Sequence, residues 1–298
     1  MRNIVISGTT GMLGQDVYSI FSNESAFNVY GVDKFTNNNI PNERQLIGDL
    51  TEKKFIAEIM QKFQPEIFIH CAAIVSLKFC EDNKEDAIAV HAGVPKEINY
   101  ISKRNTKLIY ISTDSVFDGF KGNFRESDEP NPQNYYSKSK LIGEEETMTN
   151  DNNLVIRTNI FGFNTPLKSS LAEWAINNFQ KGTSITGFTN VVFNAIYTKQ
   201  LANILLELVK KNNNGVLHLA SQNIFSKYSF LRYLAVRLTG KTDLVLAGRS
   251  YNINNGLKRP ENTSLNVSKA LNCMQLPTIE EGIDELVADY KEVILNEN

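Results

Sequence analysis

Tyr136-Ser137-Lys138-Ser139-Lys140 holds the residue pair best suited to chemistry in this chain. A tyrosine and a lysine four residues apart share one face of a helix, one turn apart. The ammonium beside the phenol favours its charged form and is expected to lower a pKa that starts near 10. Such a tyrosine can pass a proton to or from a sugar or alcohol oxygen near neutral pH. The spacing alone is common, and taken by itself it is better explained by an amphipathic helix start with exposed lysines. Tyr135 provides an internal control, since its fourth neighbour is Ser139.

The elements that must position this pair follow from the chain order. Ile4-Val5-Ile6 is an uninterrupted β-branched run, as a buried parallel strand requires. It leads into Ser7-Gly8-Thr9-Thr10-Gly11-Met12-Leu13-Gly14. Glycines three apart at a strand-to-helix turn let the backbone approach a pyrophosphate and aim helix N–H groups at it. Gly8, Thr10, Gly11, Met12, Leu13 and Gly14 are therefore the expected phosphate loop of a dinucleotide site, with a plain glycine-rich turn as the alternative. Val29 to Asp33 reads as the second strand. Asp33 lies about 20 residues past the glycines, where a carboxylate accepts from the ribose hydroxyls and repels a 2′-phosphate. That favours NAD(H) slightly over NADP(H), although the adjacent Lys34 weakens the preference. Asp49 and Leu50 follow a further short apolar piece and could border the adenine.

Lys53 to Phe63 reads as a helix and Ile67 to His70 as a strand, followed by Cys71-Ala72-Ala73, small residues that leave room for a cofactor. His70 is expected to be a satisfied histidine at a strand end. A helical stretch, Glu85 to Arg104, carries His91. Lys107 to Ile111 is the next strand and ends in Ser112-Thr113-Asp114. A hydroxyl there faces the crevice where ligands bind a parallel sheet, so Thr113 could bond a substrate oxygen beside Tyr136. The bland alternative is a threonine closing a strand. Phe117 to Pro132 is expected to be loop, and Glu144-Glu145-Glu146 a solvated face. Leu154 to Arg157 is a further strand and Val216 to Ala220 a late one; helices are expected over Leu171 to Phe179, Lys199 to Lys210, Lys227 to Thr239 and Ile279 to Leu295. Arg259 in Arg259-Pro260-Glu261-Asn262 could hold a phosphate or be a surface arginine.

The bulk numbers narrow the class. The chain has 298 residues, 42% hydrophobic and 21% charged, ordinary for a soluble globular protein with a sizeable core. A net charge of -2 gives no reason to expect nucleic acid or an anionic membrane. No apolar run approaches the roughly 20 residues of a membrane helix, and the N-terminus does not resemble a signal peptide. Cys71, Cys80 and Cys273 are expected to be buried reduced thiols, in keeping with a cytoplasmic protein. His and Cys spacing offers no metal site.

Glycine turn, Thr113, Tyr136 and Lys140 in that order resemble the extended short-chain dehydrogenases/reductases. Ser112-Thr113-Asp114-Ser115-Val116-Phe117-Asp118-Gly119, Tyr136 to Glu144, Arg157-Thr158 and Arg259-Pro260…Ser264-Leu265 are similar to segments of the dTDP-4-dehydrorhamnose reductase group. The resemblance implies an α/β fold: a Rossmann-like doubly wound parallel sheet with a smaller C-terminal substrate domain. The dinucleotide-binding part would span 1–160. The part from 161 to 298 would be mainly substrate-binding, with a late strand at about 216–220 returning to the sheet. It also implies a triad: Tyr136 donates a proton, Thr113 orients the carbonyl, and Lys140 holds the nicotinamide ribose and tunes Tyr136. Asn159 and Arg259, with Thr113, would contact a nucleotide-linked 4-keto-6-deoxyhexose, and a homodimer is possible.

Three departures from that group stand out. His91 replaces an asparagine that would belong to a proton relay behind Lys140; a tryptophan after Arg157-Thr158 is missing; Asn266 stands for an aspartate. An epimerase with tightly bound NAD and a non-catalytic regulatory subunit of the same fold are the alternatives. Asp114-Ser115 lacks the Asp-Glu of the dehydratases, and retention of all three catalytic residues speaks against the regulatory role.

Overall fold

A computed structural model describes residues 1–164, 170–251, 253–254 and 257–297, with the side chains of 253–254, 257–258 and 293–297 excepted. Ile4, Val5 and Ile6 have no exposed surface and lie in β1 (Arg2–Ser7), an interior strand of a parallel sheet. β1 pairs on one side with β2 (Phe27–Asp33), which pairs with β3 (Gln45–Ile47). On the other side stand β4 (Ile67–His70), β5 (Lys107–Thr113), β6 (Leu154–Thr158) and finally the strand Gly215–His218. All seven strands run parallel, and the order reverses between β1 and β4. Ligands of such sheets bind at that reversal, outside the carboxyl ends of the strands.

Helices cover both faces, which is why the central strands carry unbroken apolar runs rather than alternation. The helix after β1 is α1 (Met12–Ser22), and α2 (Lys53–Phe63) precedes β4. After β4 come α3 (Leu77–Asp82), α4 (Lys84–Ile88) and α5 (Val94–Ile101). One wide turn, Ala89–Gly93, joins α4 to α5 with i→i+5 geometry and carries His91. Pro95 stands in the first turn of α5, where its missing N–H matters least. The catalytic tyrosine candidate lies on α6 (Tyr135–Thr147), capped by Asn134, whose Oδ1 accepts from Ser137 N at 3.0 Å.

A separate aromatic-rich core forms from later segments. Phe161, Phe179, Phe193, Tyr197, Phe230, Ile283 and Leu286 bury together, apart from the sheet's own core. The helices Leu171–Gln180, Lys227–Thr239 and Ile279–Glu297 and the parallel pair Ile185–Phe188 with Val245–Gly248 frame it. The cysteines are all free thiols, but Cys273 is exposed, so only Cys80 matches the expected burial fully and Cys71 in part.

Candidate active site

The glycine turn is fixed by close backbone contacts. Gly8 has φ +74°, and a Cβ there would lie 2.7 Å from Ala72 N. At Gly14 a Cβ would come 2.0 Å from Gly8 O, so α1 can pack against the turn only without a side chain. Gly11 caps α1 with no side-chain bond to the first-turn N–H groups, and its Cβ would meet only Gly8 O, at 3.1 Å. This cradle fits a pyrophosphate: uncapped N–H groups at a helix start beside a wall of glycine. Met12 is half-buried, whereas Leu13 is a core side chain and offers only its backbone.

Asp33 closes the turn from the end of β2. Its Oδ2 accepts from Thr10 N at 2.8 Å and Thr10 Oγ1 at 3.0 Å, and its Oδ1 from Lys34 N at 2.7 Å. Lys34 does not stand free beside it. Its ammonium pairs with Asp49 at 2.8 Å, and Thr51 bonds the other oxygen of Asp49. Leu50 packs with Val32 and Ile56 in the sheet's core, which places its side chain among apolar neighbours. Across the reversal, Cys71, Ala72 and Ala73 are half-buried after β4, and burial pushes the Cys71 thiol up to about 12. His70 is satisfied on both nitrogens, by Ser7 Oγ at 2.8 Å and Val90 O at 3.2 Å.

Thr113, at the end of β5, puts its hydroxyl near the Tyr136 phenol, where it favours the phenolate. Lys140 is 2% exposed; its Nζ donates to Ile111 O at 2.6 Å and lies 4.1 Å from the centre of the Tyr110 ring. The expected depression of the tyrosine pKa is not what the geometry gives. Burial pushes Tyr136 up to about 12, with the charge of Asp114 adding to the rise. Burial also brings Lys140 down to about 7, despite the attraction of Glu144 and Cys71. Desolvation is the largest cause at both groups, and it outweighs the influences that oppose it.

α6 reaches this place through a polar buried face. Ser137, Ser139, Lys140, Gly143, Glu144 and Thr147 point inward. At Gly143 a Cβ would lie 2.1 Å from His91 O and 2.3 Å from Tyr110 Oη, so the glycine permits the close approach to β5. Glu144 is not part of a solvated face. It is 4% exposed, takes Arg157 Nε and Nη2 at 3.0 and 2.7 Å, and accepts from the Ser112 hydroxyl. Arg157 also lies over the Phe117 ring at 5.2 Å. Of the acidic triplet, only Glu145 is exposed; Glu146 is half-buried and meets Lys96 at 3.4 Å.

His91 has a clear bonding pattern. Its Nε2 accepts from Ile74 N at 3.0 Å, so the ring proton sits on Nδ1 and donates to Ser139 Oγ at 2.8 Å. Ser139 in turn donates to Tyr136 O at 2.9 Å. Burial drives the His91 pKa down to about 2, with the positive Lys140 helping. The ring therefore stays neutral and ties the loop after β4 to α6.

The substrate-side candidates fall differently. Asn159 donates its amide to Asp114 Oδ2 at 2.7 Å, and Arg259 is exposed. Lys227, which sequence reasoning passed over, lies within Coulombic reach of both Asp114 and Arg259. Its ammonium sits 3.9 Å from the Phe193 ring centre, and burial lowers its pKa to about 8. Its position, first on a helix after Ser226, gave no signal in the sequence. The two distant family-like segments prove to be one unit. Asn262 N bonds Gly119 O at 3.0 Å, Phe124 N bonds Ser264 O at 2.9 Å, and a Cβ at Gly119 would strike Pro260. Asn266 Oδ1 accepts from Ser268 N at 3.0 Å, a turn an aspartate would make equally.

Comparison with known proteins agrees with this architecture. The RmlD substrate binding domain family matches residues 1–292. The chain belongs to this family. It is 28% identical over 253 residues, 82% of this chain and 84% of the other, to a probable low-salt glycan biosynthesis reductase, Agl14, of Haloferax volcanii. It is also 26% identical over 283 residues, covering 90% and 84%, to methionine adenosyltransferase 2 subunit beta of Danio rerio. A Bacillus anthracis dTDP-4-dehydrorhamnose reductase in complex with NADP has the same fold (TM-score 0.84, 22% identity, 97% and 99% covered). The fold is that of the extended short-chain dehydrogenases/reductases, as the order of motifs implied. Among the described residues no helix is long and apolar enough to cross a membrane, and no cluster of His, Cys, Asp or Glu could hold a metal.

Proposed function

We propose that the chain is an NAD(P)H-dependent reductase of a nucleotide-activated 4-keto-6-deoxy sugar, acting in deoxysugar or surface polysaccharide biosynthesis. The observation that carries this is the gathering of Thr113, Tyr136 and Lys140 at the crevice end of β5, with the Thr113 hydroxyl near the phenol and Lys140 Nζ on Ile111 O. Family membership and the reductase named among its relatives support it. Bound nicotinamide would supply the hydride. Gly8, Thr10, Gly11, Met12, Leu13 and Gly14 would hold its pyrophosphate, Asp33 the adenosine ribose, and Cys71 to Ala73 the passage along the crevice. Tyr136, kept protonated by burial, would give its proton to the keto oxygen. Lys140, half-charged near neutral pH, would hold the nicotinamide ribose and replenish charge beside the phenol. Arg259, and Lys227 near it, would meet the anionic part of the substrate.

In this reading residues 1–160 form the dinucleotide-binding part and 161–298 mainly the substrate-binding part. The second reading, a regulatory subunit that binds the cofactor without turnover, is favoured by the likeness to a methionine adenosyltransferase subunit. The two separate when NADH and NADPH oxidation is followed against a panel of nucleotide 4-keto sugars with product analysis. A reduced sugar supports the enzyme. Cofactor binding with no oxidation across the panel supports the subunit.

A further inference from the structure

A buried histidine between a crevice loop and the helix of Tyr136 and Lys140 has the chemistry of a proton shuttle, and His91 stands there. Its hydrogen bonds close that route. They begin at a backbone N–H, Ile74 N, which donates to Nε2 at 3.0 Å. Nδ1–H donates to Ser139 Oγ at 2.8 Å, and Ser139 donates to Tyr136 O at 2.9 Å. A backbone amide opens this run and a backbone carbonyl ends it, so every direction is forced. A proton could pass along it only by stripping the Ile74 amide or protonating the Tyr136 carbonyl.

The same bonds join two parts of the crevice. Ile74 is held by its carbonyl as well, which accepts from the Cys80 thiol at 3.4 Å. Glu81 Oε1 accepts from Tyr135 N at 2.7 Å, a second tie between this segment and α6. Cys71, Ala72 and Ala73, just ahead of Ile74, are therefore fixed relative to the turn that presents Tyr136. The edge of the His91 ring meets the Tyr136 ring, with centroids 5.7 Å apart. We infer that His91 is a positioning residue that carries no proton: it holds the loop after β4 in register with Tyr136, and the proton that Tyr136 gives up returns by a route outside position 91. The proton part rests on the reductase reading; the register part does not. Titratable groups around the ring are Lys140, His70 and the Tyr136 phenol; burial, then Lys140 and His70, bring its pKa down to about 2.

The first test is the ring itself. In the full-length chain labelled with ¹⁵N-histidine, the three histidines are assigned by replacing His70 and His218 singly. His91 should show Nδ1–H and a bare Nε2 from about pH 5 to about pH 9, with and without NADH. A charged ring, or a proton on Nε2, anywhere in that range overturns the inference. The second test separates register from relay. His91→Phe keeps a ring and drops both bonds, so NADH binding should weaken about tenfold and turnover should fall with it. His91→Gln offers an amide oxygen to Ile74 N but cannot shuttle a proton at neutral pH. It should therefore recover NADH affinity and turnover to within about threefold of the parent. A glutamine variant that turns over no faster than the phenylalanine variant overturns the inference. So does a phenylalanine variant that binds NADH as tightly as the parent. If His91→Phe does not fold, the tautomer and the glutamine variant decide. A parent that turns over no sugar tested removes the reductase reading, while the tautomer and the NADH affinities still decide the register.

Discussion

At the carboxyl end of β1 the crevice wall is held by backbone against backbone. Gly14 lets α1 sit on Gly8 O, and Gly8 lets the turn lie on Ala72 N. At the carboxyl end of β5 the wall is held by buried charge. Glu144 gathers Arg157 and Ser112, and Asp114 gathers Thr113, Asn159 and Thr263. The first wall is specified by which side chains are missing, the second by which distant donors are present. Steric exclusion has little adjustment, whereas a buried carboxylate is costly unless every partner arrives. In the proposed reading, binding would rest on local sequence and proton chemistry on contacts made by the whole fold.

The largest expected effect lies on the β5 wall. Tyr136→Phe deletes the proton donor and keeps the ring, so turnover should fall by roughly 10²- to 10⁴-fold with NADH binding nearly intact. Tyr135→Phe should change the rate only modestly, since its ring meets Lys84 at 5.2 Å and not the triad. Equal losses in both variants would remove Tyr136 from the site. Next comes a test of the contrast itself. Glu144→Ala strands the buried Arg157 guanidinium and should cost about 3–5 kcal/mol in urea unfolding. Gly14→Ala should weaken dinucleotide binding by calorimetry far more than Gly11→Ala does. A Glu144 variant as stable as the parent, or a Gly14 variant that binds as the parent does, breaks the distinction between the walls.

Much of the β1 wall was legible because its determinants are neighbours in sequence: an apolar run, glycines three apart, an acid at the end of the next strand. The β5 wall was legible only as a list of names. Glu144 reads as one of three consecutive acids, and nothing local says that Arg157, 13 residues on, will neutralise it. Asn159 was placed against substrate, but its amide is taken by Asp114. Lys140 was expected to acidify Tyr136, because spacing shows proximity but not the loss of water around both groups. Thr263 and Lys227 come from segments more than a hundred residues away, and only the fold brings them to Asp114.

A smaller effect follows from the buried lysine. Lys140 holds its proton only to about pH 7 in the native chain, against roughly 10.4 when unfolded. Between these values the unfolded chain binds the extra proton, so native stability rises with pH across that window. Lys140→Met removes this contribution, and the parent should gain stability over the variant between about pH 7 and pH 9. Parallel denaturation midpoints would mean that the lysine is solvated. The smallest effect is on the β1 wall. Asp33→Ala should narrow any preference for NADH over NADPH without abolishing binding, as read by the ratio of the two dissociation constants. An unchanged ratio would take Asp33 off the ribose.

Hydride transfer itself is best followed with an isotope. NADH or NADPH carrying deuterium at C4 of the nicotinamide, mixed with the chain and a nucleotide 4-keto-6-deoxy sugar, should yield a product with deuterium on the former keto carbon. Cofactor consumed and deuterated sugar formed should be equal in amount. Tight dinucleotide binding with no deuterium in any sugar tested would contradict the reductase and leave the chain a cofactor-binding subunit.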